Sequence, residues 1–430
     1  MELTGLNTDQ APPISVPISF FLTAPLFAFL AGFLILISDA NILSNRFTPE
    51  SIAIVHAVTI GFMGFVILGA ITQMLPVLAG VKIYRVKFIT RFSYLFLVFG
   101  LLFMVFGLYF AKDTLNAFAV VALSIGFLSL LIPMLISLSK VKNFSPTVKA
   151  MMVSLLFALM VIIMGAKLLS SYVTGVFSDY HLAIANVHSV WAIFGFIGIL
   201  IIGVAFQVLP MFYVAPKFRP FCKQRVVILI SIGLVLWFIL NIFEPEYSYI
   251  AKIWIGTFFW AFATAVWVKL NKRRRPITDV TIWYWRTSSI FMTIGIFAWV
   301  FNSFLDDKYI VVISVMIGFG FIFSIMTGMI YKIVPFLVWF HLNAKGYMSI
   351  PTINEMINKK SAKIQYVLFI LSLIGFVISY FEPLFLEYSA FIFMLSMIIL
   401  EFNIINPIII YIKTIKTKPD FDMSAFKIGD

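Results

Sequence analysis

The sequence is poor in charge, and this excludes most classes of protein at once. Only 11% of its 430 residues are charged, whereas 62% are hydrophobic and the mean hydropathy is +1.06. A soluble domain carries about 25% charged residues. The composition therefore excludes a soluble enzyme, a nucleic-acid-binding protein and a disordered chain. The apolar runs are also too long for the strands of a membrane β-barrel, so we expect an all-α polytopic membrane protein.

The residues that build metal sites and disulfides are equally scarce. A single cysteine, Cys222, excludes an intrachain disulfide framework, an iron–sulfur cluster with four cysteine ligands and a cysteine-rich zinc site. There are four histidines: His56, His181, His188 and His341. Any metal centre must therefore be built from very few ligands.

Long apolar segments dominate what remains. About 20 apolar residues are needed to cross the hydrocarbon core of a bilayer. Twelve segments meet this requirement, at about 17–37, 51–80, 92–111, 116–137, 149–172, 182–213, 226–243, 249–268, 284–303, 309–339, 364–380 and 388–412. We interpret the first as a retained helix and not a signal peptide, because no basic region precedes it and no A-x-A site follows.

The basic residues are concentrated on one side of these segments. Of the 31 Lys and Arg residues, 26 lie in or at the edges of the loops after even-numbered segments or in the C-terminal tail, whereas the odd-numbered loops are mainly acidic. The positive-inside rule then places both termini in the cytoplasm. The net charge of +13 is explained by topology and by contact with the anionic lipids of the bilayer, and we expect no nucleic-acid partner.

An internal repeat links segments two, six and ten. Six residues of segment two recur in segment six at a constant offset of 134: Gly61, Gly64, Gly69, Gln73, Leu75 and Pro76 match Gly195, Gly198, Gly203, Gln207, Leu209 and Pro210. A third copy lies a further 125 residues on, with Gly320, Gly328, Val334, Pro335 and, in place of the Gln, Lys332. The repeat predicts three tandem four-helix units, about 17–145, 146–276 and 277–413, within a single membrane domain, followed by a cytoplasmic tail, 414–430. An even number of segments keeps the units parallel, so their pseudo-threefold axis follows the membrane normal.

Twelve segments, three four-helix units and the motif G-x3-[QK]-x-[LV]-P on segments two, six and ten resemble the heme–copper oxidase subunit I superfamily, which includes divergent members such as the NnrS family. The resemblance implies the oxidase fold in a bacterial-type inner (plasma) membrane. It also implies histidines in segments seven and ten, yet neither segment contains one, and the loop between segments eleven and twelve lacks the family's arginines. We therefore expect no oxygen reduction at the usual site, and any other enzymatic activity stays open.

Two histidines lie in the predicted spans at similar depth. His56 precedes Pro76 by 20 residues and His188 precedes Pro210 by 22. A difference of two residues is about 200° around a helix, so the two side chains point in opposite directions along the ring of units. The resemblance to the oxidases implies that both side chains point into the pore between units one and two. We predict that they hold a haem b by two axial imidazoles. Two alternatives remain, namely packing histidines, or a copper ion on the same pair with help from Met63 or Met74.

Further polar residues lie within or beside the spans. His181 and Lys167 are interpreted as interfacial or snorkelling residues, or as contacts of the haem propionates. Glu401 and Lys332 are candidates for a proton or ion path, or for an ion pair with each other. A neutral Glu401, hydrogen-bonded near Asn403 and Asn406, is the simpler alternative. We expect Gln73 and Gln207 to satisfy backbone carbonyls freed by the prolines that follow.

The sequence thus predicts an integral membrane haem protein without oxygen-reductase activity. Electron transfer, sensing or detoxification of a diatomic gas such as nitric oxide, and haem or copper handling all fit this prediction, with an electron-transfer or respiratory-complex partner. The alternative is a transporter or channel that uses a pore between the units for a small solute, a metal or a proton. A structural accessory subunit of a respiratory complex is a third hypothesis.

Overall fold

Twelve long helices form the described part of the protein. The structure, a computed structural model, describes residues 12–42, 45–274, 278–305 and 308–421, and these ranges contain no strand. The helices are α1 Ser15–Leu36, α2 Pro49–Ala79, α3 Val86–Tyr109, α4 Asp113–Ser139, α5 Pro146–Thr174, α6 His181–Tyr213, α7 Pro220–Phe243, α8 Ser248–Asn271, α9 Val280–Asn302, α10 Ile310–Asn343, α11 Lys359–Ile378 and α12 Phe385–Thr414. All helices except α9, which is richer in polar residues, are long and apolar enough to cross a membrane. The chain is therefore a multi-pass membrane protein.

Short capping sequences set where several of these helices begin. The hydroxyl of Thr48 accepts the N–H of Ser51 at 3.3 Å, and Pro49 occupies the first position of α2. This is the N-terminus that the sequence Thr48-Pro49-Glu50 indicates, because a proline costs nothing where its N–H would be unpaired. Ser145 and Pro146 start α5 in the same way.

Helices α2, α6 and α10 share an unusual wide turn. Residues 57–64, 191–198 and 316–323 are π-helical, and the three stretches are related by offsets of 134 and 125 residues. These are the offsets that relate the glycine and proline motif in the sequence. A π-helical turn is rare and is often found at functional sites. The three helices therefore share a backbone irregularity as well as a sequence pattern.

Glycines bring α2, α6 and α10 into close contact with the helix that precedes each of them. A Cβ atom added at Gly61, Gly195 or Gly320 would overlap a phenylalanine of the preceding odd-numbered helix: Phe27 on α1, Phe157 on α5 and Phe291 on α9. A second set of glycines packs in the same way nearer the proline, with Gly69, Gly203 and Gly328 against Phe20, Ala150 and Tyr284. The pairs α1–α2, α5–α6 and α9–α10 thus pack in one common arrangement.

The remaining contacts close the helices into a ring. α3 packs on α4, α7 on α8 and α11 on α12, and neighbouring groups meet where α4 contacts α5, α8 contacts α9 and α12 contacts α1. The long helices α2, α6 and α10 lie inside this ring. Phe62 of α2 and Phe323 of α10, both fully buried, stack there with ring centres 3.8 Å apart. We call the end of the bundle with the loops after α1, α3, α5, α7, α9 and α11 the odd-loop end, and the opposite end the even-loop end.

The start of the C-terminal tail folds back on the loop after α10. The carboxylate of Asp420 accepts the backbone N–H groups of Met348 and Ser349, at 2.6 and 2.8 Å, and the hydroxyl of Tyr347 donates to the carbonyl of Thr417. The N–H groups of Ser349 and Met348 hold the pKa of the Asp420 carboxyl below its usual value. The tail contact therefore depends on an ionised carboxylate.

We predict that acid opens this contact. A pKa lowered in the folded state gives a contribution that is present above the unfolded pKa of about 3.9 and is lost as the pH falls through the folded value. Hydrogen exchange at the amides of Met348 and Ser349, corrected for the intrinsic rate, should stay constant above about pH 5 and accelerate below about pH 4. Asp420→Ala should accelerate it at neutral pH, whereas Lys418→Ala should not. Equal protection in both variants would contradict the contact.

Candidate functional site

Two histidine rings face each other inside the bundle. His56 lies on α2 directly before its wide turn, and His188 lies on α6 three residues before the equivalent turn. Their ring centres are 6.1 Å apart and their planes differ by 29°. The structure thus brings together the two histidines to which the sequence gives opposite directions and which the resemblance to the oxidases turns towards each other.

Both rings are held by backbone carbonyls. Nδ1 of His56 lies 2.8 Å from the carbonyl oxygen of Ile52, and Nδ1 of His188 lies 3.0 Å from that of Val161 on α5. A carbonyl oxygen only accepts, so a neutral ring carries its proton on Nδ1 and keeps a lone pair on Nε2. A backbone carbonyl bound to one ring nitrogen is the usual way in which a ligand histidine is oriented. Each ring therefore has Nε2 available to a metal ion.

Gly165 makes room for the ring of His188. A Cβ atom at this position would lie 3.0 Å from Cε1 of His188, tighter than ordinary van der Waals contact. Gly165 follows Val161 by one helical turn, so the Cε1 edge of the His188 ring can approach α5 while Nδ1 reaches the Val161 carbonyl. The absence of a side chain at residue 165 thus fixes the position of one of the two histidines.

A large cavity surrounds the histidine pair. Its volume is about 580 Å³, and most of its lining is apolar. It reaches α3, α4 and α5 on one side and α7, α8, α9 and α10 on the other, and residues near the odd-loop end line its mouth: Arg46, Phe47, Ser51, Tyr172, His181 and Asn186. This volume lies within the range of about 300–1,000 Å³ that small-molecule and cofactor sites occupy.

The two residues predicted as propionate contacts lie in different surroundings. His181 lines the cavity mouth and packs edge-on against Phe177, with ring centres 4.9 Å apart. Lys167 is exposed on α5 and is not among the cavity-lining residues, although its neighbours Ala166 and Leu168 are. Lys167 would therefore not contact a propionate bound in the cavity, and it does not belong to the candidate site.

The predicted ion-path residues do not come together. Lys332 forms an ion pair with Asp279, at 3.3 Å, so the alternative in which it pairs with Glu401 is wrong. The hydrogen-bonded form of Glu401 is also not observed, because its buried Oε2 has no partner while Asn403 donates to Tyr331. Neither Glu401 nor Lys332 is among the residues that line the cavity.

The two motif glutamines do not act as expected. Oε1 of Gln73 is buried without a hydrogen-bond partner, and in the part of the chain that the structure describes neither Gln73 nor Gln207 makes a side-chain hydrogen bond to a freed carbonyl. Neither residue is among those that line the cavity.

Sequence reasoning missed two cations in the cavity lining. Arg46, in the loop between α1 and α2, donates from Nη2 to Oδ1 of Asn186 at 2.6 Å. Lys252 on α8 is only 3% exposed, and its Nζ lies 5.9 Å from the ring centres of both Trp237 and Trp299. A signal was present, because these two residues are among the five Lys and Arg that depart from the even-loop pattern.

Comparison with other proteins gives no relative from which a function could be transferred. No model of a protein family matches the chain, and no curated protein sequence matches it. The geometry of the site therefore carries the functional conclusion by itself.

We predict that adding one methyl group has opposite effects at two glycines that line the cavity. Gly318→Ala meets no atom within 4 Å, so the smaller conformational freedom of alanine in the unfolded chain should stabilise the protein by roughly 0.4–1 kcal/mol. Gly165→Ala presses on His188 and should lower stability by roughly 1–3 kcal/mol, as overpacking does. Thermal unfolding of the purified protein in detergent measures both. A rise in Tm for both variants would show that Gly165 does not confine the histidine.

Proposed function

We propose that the chain holds a b-type haem between His56 and His188 and passes electrons through it. The distance between the two rings carries this proposal. A bond from a metal ion to an imidazole nitrogen is about 2 Å long, and the ring centre lies about 1 Å beyond, so two imidazoles on opposite sides of one metal ion stand about 6 Å apart. The observed separation is 6.1 Å.

The surrounding residues fit a haem better than a copper ion. The described residues contain no group of three or more His, Cys, Asp or Glu side chains that could hold a metal ion. Copper would have the two imidazoles and, besides them, only thioethers: Met63 and Met104 line the cavity, whereas Met74 does not. A haem brings four nitrogen ligands of its own and needs only the two axial ones. Cys222 is exposed on α7, away from the cavity lining, so the haem would be held without a covalent bond.

Electron transfer is the best supported use of such a site. A bound haem supplies one-electron redox chemistry. His56 and His188 would both be occupied in holding the haem, so sensing or detoxifying nitric oxide there would first require one imidazole to leave. Backbone hydrogen bonds and the contact with Gly165 oppose that movement of His188. Oriented by these contacts, the two side chains would hold the haem in one arrangement, which suits repeated electron transfer.

We further propose that the twelve helices form three four-helix units in the arrangement of oxidase subunit I. The repeated wide turns and the repeated contacts between glycines and aromatic residues support this arrangement. With both termini cytoplasmic in a bacterial-type inner membrane, the odd-loop end faces outwards. The cavity mouth, and with it the proposed haem, would then be reached by an electron-transfer partner or a respiratory complex outside the cytoplasm.

Transport through a pore between the units is the competing function. It would need a path from His188 to Glu401 and the even-loop end. The stacked rings of Phe62 and Phe323 lie fully buried between α2 and α10, and Glu401 is not among the cavity-lining residues. The cavity thus resembles a closed binding site more than a passage.

We predict one haem b for each chain in protein purified from cells that are supplied with haem. A pyridine hemochrome assay measures the amount, and the visible spectrum should be that of a six-coordinate, low-spin haem. His56→Ala and His188→Ala should each abolish the low-spin spectrum, because each removes one axial ligand. His341→Ala is the matched control, since His341 is partly buried on α10 but is not among the cavity-lining residues.

A colourless wild-type protein would overturn the haem proposal and favour transport. A haem spectrum that persists in both His56→Ala and His188→Ala would also overturn it. If the wild-type protein binds one copper ion and no haem, the same two histidines serve a different cofactor.

The angle between the two rings leads to a spectroscopic prediction. Near-parallel imidazole planes, here 29° apart, act on the same iron d orbital and split its pair of π-type orbitals strongly. The oxidised protein should therefore give a rhombic low-spin electron paramagnetic resonance signal. A strongly anisotropic signal, in which one large g value dominates, indicates perpendicular rings and would contradict this geometry.

A further inference from the structure

We infer that the cavity mouth is a carboxylate-binding site, formed by Arg46 and Asn186, and that it fixes the orientation of the bound porphyrin. This inference rests on the proposed haem function. It assigns to the two residues the recognition of the propionate groups, which lie along one edge of a haem. That edge would then face the odd-loop end.

The geometry at the mouth is suited to an anionic group. Nη2 of Arg46 donates to Oδ1 of Asn186 at 2.6 Å, and the guanidinium lies 4.4 Å from the ring centre of Phe47. A guanidinium presents N–H donors in a rigid, planar fork, a shape and charge that match a carboxylate. Because Oδ1 of Asn186 is the acceptor, its Nδ2 is a donor, and it has no partner in the described part of the chain.

The surroundings place the carboxylate at the mouth. Arg46, Phe47 and Asn186 all line the cavity, and none of its described lining residues is acidic. Asn186 precedes His188 by two residues, which puts it about 3 Å nearer the odd-loop end along α6. Most of the remaining lining is apolar, so a carboxylate placed deeper would lose its hydration with little in return. Arg46 lies in the loop that leads into α2, the helix of His56, and Asn186 lies on α6, the helix of His188.

Lys252 is the other cation in the lining and is the competing position. It lies on α8 between Trp237 and Trp299, on the side of the cavity formed by α7, α8 and α9. A carboxylate bound there would give the porphyrin a different orientation. Variants distinguish the two positions. If the carboxylate binds at the mouth, a substitution of Arg46 removes its contribution to porphyrin affinity, and if it binds at Lys252, a substitution of Lys252 does so.

The test compares haemin with haemin dimethyl ester, in which both carboxylates are masked. The full-length protein is produced without haem, purified in detergent and titrated with each porphyrin, with the low-spin spectrum as the readout. Wild-type protein should bind haemin about 10- to 100-fold more tightly than the ester, the range expected for hydrogen bonds to a charged group. Arg46→Gln should remove most of this difference while binding the ester as the wild type does. Ester binding thus reports that the variant is folded.

Two further variants sharpen the result. Arg46→Lys keeps the charge but loses the fork, so it should retain only part of the preference for haemin. Lys167→Gln is the matched control, because it removes a cation of α5 that does not line the cavity, and it should keep the full preference.

Each remaining outcome decides the question. Equal affinity of the wild type for haemin and its ester overturns the carboxylate site but leaves the haem function intact. A preference that survives Arg46→Gln and disappears in Lys252→Met moves the carboxylate to Lys252 and also overturns it. If the wild type gives a low-spin spectrum with neither porphyrin, the haem function fails, and the carboxylate site fails with it.

Discussion

Close packing of glycine against aromatic side chains is the contact on which the rest of this structure depends. Inside a bilayer, helices gain little from the hydrophobic effect, so their association relies on van der Waals contact and on small residues that let backbones approach. Gly61, Gly195 and Gly320 allow α2, α6 and α10 to approach α1, α5 and α9 closely. Because the same contact recurs three times, the three long helices take equivalent places within the ring. The facing histidines are a consequence of this equivalence.

The angle between His56 and His188 can be read from the sequence only because the wide turns of α2 and α6 are equivalent. A π-helical turn changes the angle between residues on either side of it, and this invalidates a simple count of residues to the proline. Both His56 and His188, however, precede the wide turn of their own helix, and the turns are equivalent. The wide turn therefore adds the same angular error to both counts, and this error cancels when the two helices are compared. What remains is a difference of two residues within ordinary α-helix, which is about 200°.

The sequence predicts the helices and the opposite directions of His56 and His188 because both follow from local periodicity and from a repeat. That the two side chains face each other is predicted only through the resemblance to the oxidases. It predicts single long-range contacts poorly. Lys332 pairs with Asp279, a residue that no spacing rule connects to it, and the exposure of Lys167 depends on which face of α5 meets α6. Arg46 lies in a loop, where no helical phase gives the direction of a side chain, and its contact with Asn186 depends on how two groups of helices meet. Such contacts become visible only when the whole ring is assembled.

The two candidate functions make opposite demands on the centre of the bundle. A transport cycle must open the cavity towards the even-loop end, and this requires helices that line it, such as α2 and α10, to move. Both helices are held by glycine contacts, Gly61 against Phe27 and Gly320 against Phe291, in which the backbones are already as close as side chains permit. Such a movement would break packing that the protein repeats in every group of helices. A haem held by two imidazoles requires the reverse, since electron transfer is best served by ligands that keep their positions. The packing that makes the ring rigid thus favours a fixed cofactor site over a moving gate.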